Sequence, residues 1–419
     1  MTMPVETDTR DTELAAQYEA YPYPERNPQD ETKRLLIGSP SHLREIDYWV
    51  FGARRSRSKP LRALVAGCGT GDGAIMLATQ MARSDRPGEV VCLDRSQRAL
   101  SIAQARATTR KLENIRFIQG SLSDLDSLKL GLFDYIDCCG VLHHLPHPAA
   151  TLKNLEQLLA PHGGMGLMVY APYGRTGVYM VQEALEQLAP HTEAPAARLD
   201  TAKRVMRSLP ATAWLRQNGN FGDHLSGGDA GLYDLLLNPR DRSYTIGAFL
   251  DLLNEAGLEP SCLMEPARYD PALFLPDPRL RNRIGALDWR EKAIVAEALT
   301  GNMATHVAYV VRQGARTPPP DFNDFHAVPV MREIPGVELA KQMRADHTLP
   351  FAFGTLVVPI PLPPQARGLL PLIDGKQTVG DLAAILSTRG VPEDKFRKIW
   401  KETFLTLESL NRVLLQSPL

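Results

Sequence analysis

From residue 60 onward, short apolar runs alternate with amphipathic helical ones, and that alternation admits few folds. Leu61–Ala66 reads as a strand, Asp72–Arg83 as a helix, 89–93 as a strand and 98–110 as a helix. Ile115–Gln119 and Phe133–Cys139 read as strands, 149–159 as a helix and 165–170 as a strand. Strands that are apolar throughout must be covered on both faces, so the spacing predicts a parallel α/β sheet with helices on both sides. After Tyr170 the alternation loosens into helical stretches near 178–190 and 200–217 and a Gly-rich run over 218–228. It then resumes with a helix over 246–256, a strand over 259–264, a helix over 289–299 and a strand over 304–312. Residues 190–245 therefore read as a helical insertion.

The flanks differ from this middle. Residues 11–30 begin helix-like and break at Tyr21-Pro22-Tyr23-Pro24 and again at Asn27-Pro28. A second helix is expected over 31–51, and residues 1–58 together read as an N-terminal helical lid segment. The cluster Arg54, Arg55, Arg57 and Lys59 reads as a solvated loop. Pro318-Pro319-Pro320 marks a stiff linker over 315–321. It separates an α/β domain at 59–315 from a small domain at 316–419. There, 354–361 reads as extended, Thr378 as the cap of a helix over 379–387, and 393–410 as a helix pair.

Lys plus Arg number 47 against 48 Asp plus Glu, a formal charge of -1. This balance gives no global attraction to nucleic acid or an anionic membrane. None of the five cysteines sits in a C-x-x-C pair, so they read as reduced, buried thiols of a cytoplasmic protein. Residues 1–13 lack the apolar stretch of a signal peptide. The longest uncharged run, 349–366, holds five prolines and cannot form a spanning helix. A soluble protein with no membrane partner is expected.

The chemistry concentrates at Leu64-Val65-Ala66-Gly67-Cys68-Gly69-Thr70-Gly71-Asp72-Gly73. A strand, a glycine turn and a helix in that order bring backbone and free helix N–H groups against a ligand. Two nucleotides suit such a turn. Gly69-x-Gly71-x-x-Ala74, with Asp94 twenty residues further on, fits a dinucleotide fingerprint and hence an NAD-dependent oxidoreductase. The other is S-adenosylmethionine.

Gly67-Cys68-Gly69-Thr70-Gly71 resembles the first motif of class I S-adenosylmethionine-dependent methyltransferases, and three further segments extend the resemblance. Val91-Cys92-Leu93-Asp94-Arg95-Ser96 is similar to the second-strand motif, whose acid takes the ribose hydroxyls. Phe117-Ile118-Gln119-Gly120-Ser121-Leu122 is similar to the adenine-edge motif. Phe133–Cys139 continuing through Gly140-Val141-Leu142-His143-His144-Leu145 is similar to the fourth-strand motif, and Pro161-His162-Gly163-Gly164-Met165 to the turn before the fifth strand. The resemblance covers roughly 60–172. It implies a Rossmann-like seven-stranded sheet with helices on both faces and S-adenosyl-L-methionine as cofactor, leaving S-adenosyl-L-homocysteine. Its cofactor residues would be Gly67, Cys68, Gly69, Gly71, Asp94, Arg95, Ser121, Leu122, Cys139 and Gly140.

The sequence departs from the family at three of these segments. Val65 stands where the first strand usually ends in an acid, Ser121 replaces the acid at the adenine edge, and Arg95 replaces an apolar residue and could stack on the base.

His143 and His144 follow the fourth strand at the carboxyl edge, where one could act as general base. Tyr21, in the aromatic-proline segment with Tyr18 and Tyr23, and Tyr173, near Tyr170 and Arg175, are the candidate substrate-facing phenols. Asp223-His224 is a further acid/base candidate. His143, His144 and His147 lack a fourth ligand nearby, so no metal is expected.

The segment 369–382, with Asp374-Gly375-Lys376-Gln377-Thr378, resembles the winged-helix peptide-recognition domains of peptide-modifying enzymes. That resemblance implies a small α+β domain presenting a strand edge to a peptide; a packing domain that forms a homodimer is the other reading. The expected activity is methyl transfer to N or O of a small molecule or of a peptide or protein side chain. Nucleic acid is disfavoured as acceptor. A catalytically silent S-adenosylmethionine-binding module is the second alternative to set beside the oxidoreductase.

Overall fold

The computed structural model describes residues 9–220 and 222–417. They form two compact units: one comprises 9–42, 57–259 and 303–313, and the other 43–56, 260–302 and 314–417.

The first unit opens with the helix Thr9–Ala20 (α1). Then come Leu61–Ala66 (β1), Asp72–Arg83 (α2), Gly88–Asp94 (β2), Gln97–Thr109 (α3), Ile115–Gln119 (β3), Phe133–Cys139 (β4), Pro148–Gln157 (α4) and Leu159–Tyr170 (β5). The apolar positions of β1, Leu61, Ala63, Leu64 and Ala66, are all buried, as two-sided coverage requires. Ser96 starts α3 by accepting the Ala99 N–H at 3.0 Å. Beyond β5 lie Val178–Leu188 (α5), Pro195–Ser208 (α6), Gly228–Leu236 (α7), Ile246–Glu255 (α8), Leu258–Leu263 (β6), of which only the first two residues fall in this unit, and Thr305–Arg312 (β7).

The sheet runs β3-β2-β1-β4-β5-β7-β6. The first five strands are parallel. β7 is not: it lies antiparallel to β5, with Met168 opposite Val307 and Tyr170 opposite Thr305. The parallel order expected from the alternation up to Tyr170 holds for β1 to β5, and β7 departs from it. The connection into β7 inserts it between β5 and β6, so its apolar run is shielded from both sides without a parallel crossover. Chain order reverses between β1 and β4, and the crevice outside the carboxyl ends of strands at such a point is where ligands bind in these sheets.

The insertion has its own core, formed by Val178, Val181, Leu185, Leu199, Ala202, Leu215, Leu232, Tyr233 and residues 235–237. Tyr21 packs against that core.

In the second unit, Val328–Met331 (β8) pairs with Val413–Gln416 (β11), and Thr348–Phe353 (β9) with Leu356–Pro361 (β10), both antiparallel. Its helices are Pro278–Gly285 (α9), Trp289–Thr300 (α10), Gly336–Gln342 (α11), Val379–Thr388 (α12) and Glu393–Ser409 (α13). Thr378 and Asp381 form a capping box at α12. The stretch 393–409 is one helix, not a pair.

Two organisational expectations change. The helix expected over 31–51 is broken: Pro40 has no N–H to donate, and Ser41 has φ 77°. Only short helical turns form, at Pro28–Thr32, Leu43–Glu45 and Ile46–Val50. The boundaries also fall elsewhere. Glu45 is buried and bonded to Arg332 and to the Asn411 amide, which places 43–56 with the C-terminal residues. The proline-rich stretch falls within the same unit, and Phe322 just after it accepts from Trp400 Nε1 at 2.9 Å. No helix among the described residues is long and apolar enough to cross a membrane.

Candidate active site

A cavity of about 550 Å³ opens at the carboxyl edge of the sheet, within the first unit. Its floor starts with Gly67, Cys68 and Gly69 after β1. A Cβ on Gly69, whose φ is 51°, would stand 2.8 Å from the Tyr23 carbonyl oxygen. A Cβ on Gly71, whose φ is 99°, would stand 2.9 Å from the Ala103 Cβ. The turn therefore needs glycine both for its left-handed backbone and for space. Gly71 does not line the cavity; it turns the chain into α2 and lets α3 approach.

Asp94 ends β2. Its Oδ2 accepts the Gly69 N–H at 2.7 Å and its Oδ1 accepts the Ser96 N–H at 2.9 Å. The carboxylate is thus aimed by the backbone, and each oxygen keeps a further lone pair for a ligand. Burial lifts Asp94 above the usual carboxylate range, against the lowering effect of those two bonds. Ser121, Leu122, Cys139 and Gly140 also line the cavity. Ser121 Oγ accepts the Ser123 N–H at 3.1 Å. Arg95 lines it too, but its guanidinium donates to the Asp11 carbonyl of α1 at 3.0 Å. Its observed role is to hold α1 down rather than to present a free plane for stacking.

A buried charge network fixes the segment after α1 over the glycine turn. Arg106, 1% exposed at its side chain, bonds Glu31 at 2.6 Å and Asp72 at 2.7 Å. Arg26 reaches Asp72 from the other side at 2.6 Å. Burial acts to raise Asp72, but the two guanidinium partners outweigh it and hold the carboxyl below its usual range.

Tyr18, Tyr23, His144, Tyr170 and Asp234 also line the cavity. His144 Nδ1 lies 2.7 Å from the Arg240 carbonyl. A carbonyl only accepts, so Nδ1 carries the proton, and in the neutral ring Nε2 is left as the basic atom. Asp234 accepts from the Tyr18 hydroxyl at 2.9 Å and lies 3.4 Å from the Tyr170 hydroxyl. Asn238 Nδ2 donates to the same carboxylate at 3.3 Å. Burial raises Asp234, with nearby His144 and the Tyr18 bond pulling the other way. Burial likewise pushes the Tyr18 phenol well up, so it stays a donor.

The remaining sequence candidates fall elsewhere. His143 is fully buried behind the wall, its ring 3.9 Å from that of Tyr170 and neither nitrogen hydrogen-bonded. Burial drives its pKa well below the usual histidine value, so it is a neutral packing group. Tyr21 stacks on Tyr233 at 5.0 Å within the insertion, and Tyr173 is 43% exposed; neither lines the cavity. The phenols that do are Tyr18, Tyr23 and Tyr170, so the expectation for Tyr21 and Tyr173 is corrected. Arg175 is taken up by Asp241 at 2.7 Å and by the Tyr170 ring, which leaves no cation there for a substrate carboxylate. The side chains of Asp223 and His224 lie outside the described residues.

Asp234 was missed by motif reading. Its signal was a lone acid in the otherwise apolar run Ala230-Gly231-Leu232-Tyr233-Asp234-Leu235-Leu236, all of it buried. A charge kept inside an apolar helix needs partners or a purpose.

The reversed strand order, the left-handed glycine turn and a cavity at the carboxyl edge define a class I methyltransferase fold. Residues 58–206 match the family described as methyltransferase domain. Residues 58–206 carry a methyltransferase domain, and S-adenosylmethionine as its cofactor replaces the dinucleotide reading. It is similar to PKMT2 from Rickettsia typhi, solved in complex with AdoHcy: TM-score 0.62 and 17% identity, over 90% of this chain and 75% of that one. It is 29% identical over 336 residues, 76% of each chain, to the uncharacterized protein syc1184_c of Synechococcus sp.. It is also 30% identical over 102 residues to the ubiquinone biosynthesis O-methyltransferase of Acinetobacter baylyi, covering 24% of this chain and 40% of that one.

Proposed function

We propose that the cavity holds S-adenosylmethionine along its glycine floor and delivers the methyl group to a hydroxyl or amine of a small molecule at the His144–Asp234 end. When bound, the cofactor supplies an electrophilic methyl on a positively charged sulfur. Asp94 would take the ribose hydroxyls, with Gly67, Cys68 and Gly69 admitting the ligand against bare backbone. Ser121 and Leu122 would border the adenine, and Cys139 and Gly140 the methionine end. His144 Nε2 would accept the acceptor's proton, and Tyr18, Tyr170 and Asp234 would orient its polar group.

One observation carries this reading: the same cavity is lined by an aimed carboxylate, Asp94, and by a histidine of fixed tautomer, His144. The N-terminal segment and the insertion roof it, which suits a small acceptor better than a folded protein. Incubation with methyl-labelled S-adenosylmethionine and a cell extract tests it. Label in the small-molecule fraction is expected. Label in protein would move the acceptor to a side chain, and binding without label would favour a silent module.

A further inference from the structure

β1 carries Val65 two residues before Gly67, the position at which the resemblance to class I methyltransferases implies an acid. Register shows what stands beside it: Val65 of β1 is paired with Asp137 of β4. Paired positions on adjacent parallel strands present their side chains to the same face. Asp137 lines the cavity and is 3% exposed. We propose that Asp137 receives the ammonium group of the cofactor's methionine moiety, so that the carboxylate absent from β1 is supplied one strand over. The proposal rests on the reading that the cavity holds S-adenosylmethionine.

Three observations support it. Asp137 Oδ1 accepts the Cys139 N–H at 3.0 Å and its Oδ2 accepts the Ser41 hydroxyl, so the group is aimed from both sides. No Lys, Arg or His among the described residues is ion-paired with it. A buried carboxylate without a cation is costly, and a cationic guest removes that cost. Finally, the first turn of α2 leaves room. A Cβ on Gly73 would stand 3.4 Å from Asp137 Oδ2, an ordinary van der Waals contact, so the glycine leaves that side of the oxygen uncovered.

The surroundings keep the site selective for a cation. Cys138 and Cys139 are held in the thiol form by burial, Tyr135 reaches the same Ser41 hydroxyl, and Asp72 is neutralised by Arg26 and Arg106. Burial lifts the Asp137 carboxyl to about 6. An ammonium partner stabilises the ionised form, so affinity should climb as pH rises through about 6 and level off above it.

The test compares two thioethers by titration calorimetry: S-adenosylhomocysteine, which carries the amino acid, and 5′-methylthioadenosine, which does not. Asp137→Asn should weaken S-adenosylhomocysteine at least tenfold, about 1.4 kcal/mol. It should leave 5′-methylthioadenosine within twofold and abolish the rise through pH 6. Unchanged S-adenosylhomocysteine affinity, or equal loss of both ligands, would overturn the assignment; equal loss would make Asp137 a framework group tied to Ser41. A wild-type protein that binds neither thioether would overturn the cofactor reading itself, and this inference with it.

Discussion

The two groups of residues that line the cavity are built in different ways. The glycine floor comes from turns that immediately follow β1, β2, β3 and β4, each within a few residues of its strand. The group that we place at the far, acceptor end is Tyr18, His144, Tyr170 and Asp234; the Tyr18–Asp234 bond spans 216 positions in sequence. The first is a property of strand–turn–helix units and is carried by local sequence. The second exists only after α1 and the insertion have folded over the sheet. The division predicts separable functions: changes at the floor should alter cofactor affinity, and changes at the far end should alter turnover or acceptor affinity.

The largest effect is expected from His144→Ala. Losing a positioned base lowers kcat by roughly 10²–10⁴-fold. Cofactor affinity, measured by calorimetry, should stay within twofold. A parallel loss of affinity would show that His144 supports the floor, and the division would fail. Asp94→Ala comes next. It removes the ribose acceptor and also frees the Gly69 N–H. S-adenosylmethionine affinity should fall at least tenfold, about 1.4 kcal/mol, and full retention would displace the cofactor from this floor.

How much of this was legible follows the same line. β1, α2, β3 and β4 sit on the residues that the hydrophobic pattern marks, because a strand covered on both faces leaves a continuous apolar run. The glycine turn was legible because only glycine satisfies both its left-handed backbone and its close contacts. Three kinds of feature were not. The antiparallel β7 has the same apolar composition as a parallel strand, so direction leaves no mark. His143 and His144 are identical in sequence context, and only the Arg240 carbonyl, 96 positions away, separates a fixed base from a packing group. Tyr21 and Tyr173 look like substrate residues by type, but Tyr21 is claimed by Tyr233 and Tyr173 faces solvent.

A smaller effect is expected at Tyr18. Tyr18→Phe keeps the ring and removes the hydroxyl that donates to Asp234. A buried acceptor left short of one donor costs about 1–3 kcal/mol, offset here by the remaining Asn238 bond. The acceptor KM should rise several-fold, with kcat reduced less than in His144→Ala. Cofactor affinity is the control: a drop as large as that of Asp94→Ala would mean that α1 closes the floor as well as the far end.

The smallest expected effect is the most informative about the size of the acceptor. Tyr173 follows β5 at the sheet's carboxyl edge, is 43% exposed and does not line the cavity. Surface substitutions of this kind stay within about 0.5 kcal/mol in stability. If the acceptor is small and held between Tyr18 and Asp234, Tyr173→Ala should leave kcat/KM unchanged within twofold. An acceptor that extends beyond the cavity, such as a peptide, would lie across exposed rings at its rim and lose affinity when one is removed. A several-fold rise in KM with unchanged kcat would therefore extend the far end onto the surface and favour a peptide or protein acceptor. An unchanged KM would keep the whole acceptor inside, within reach of His144.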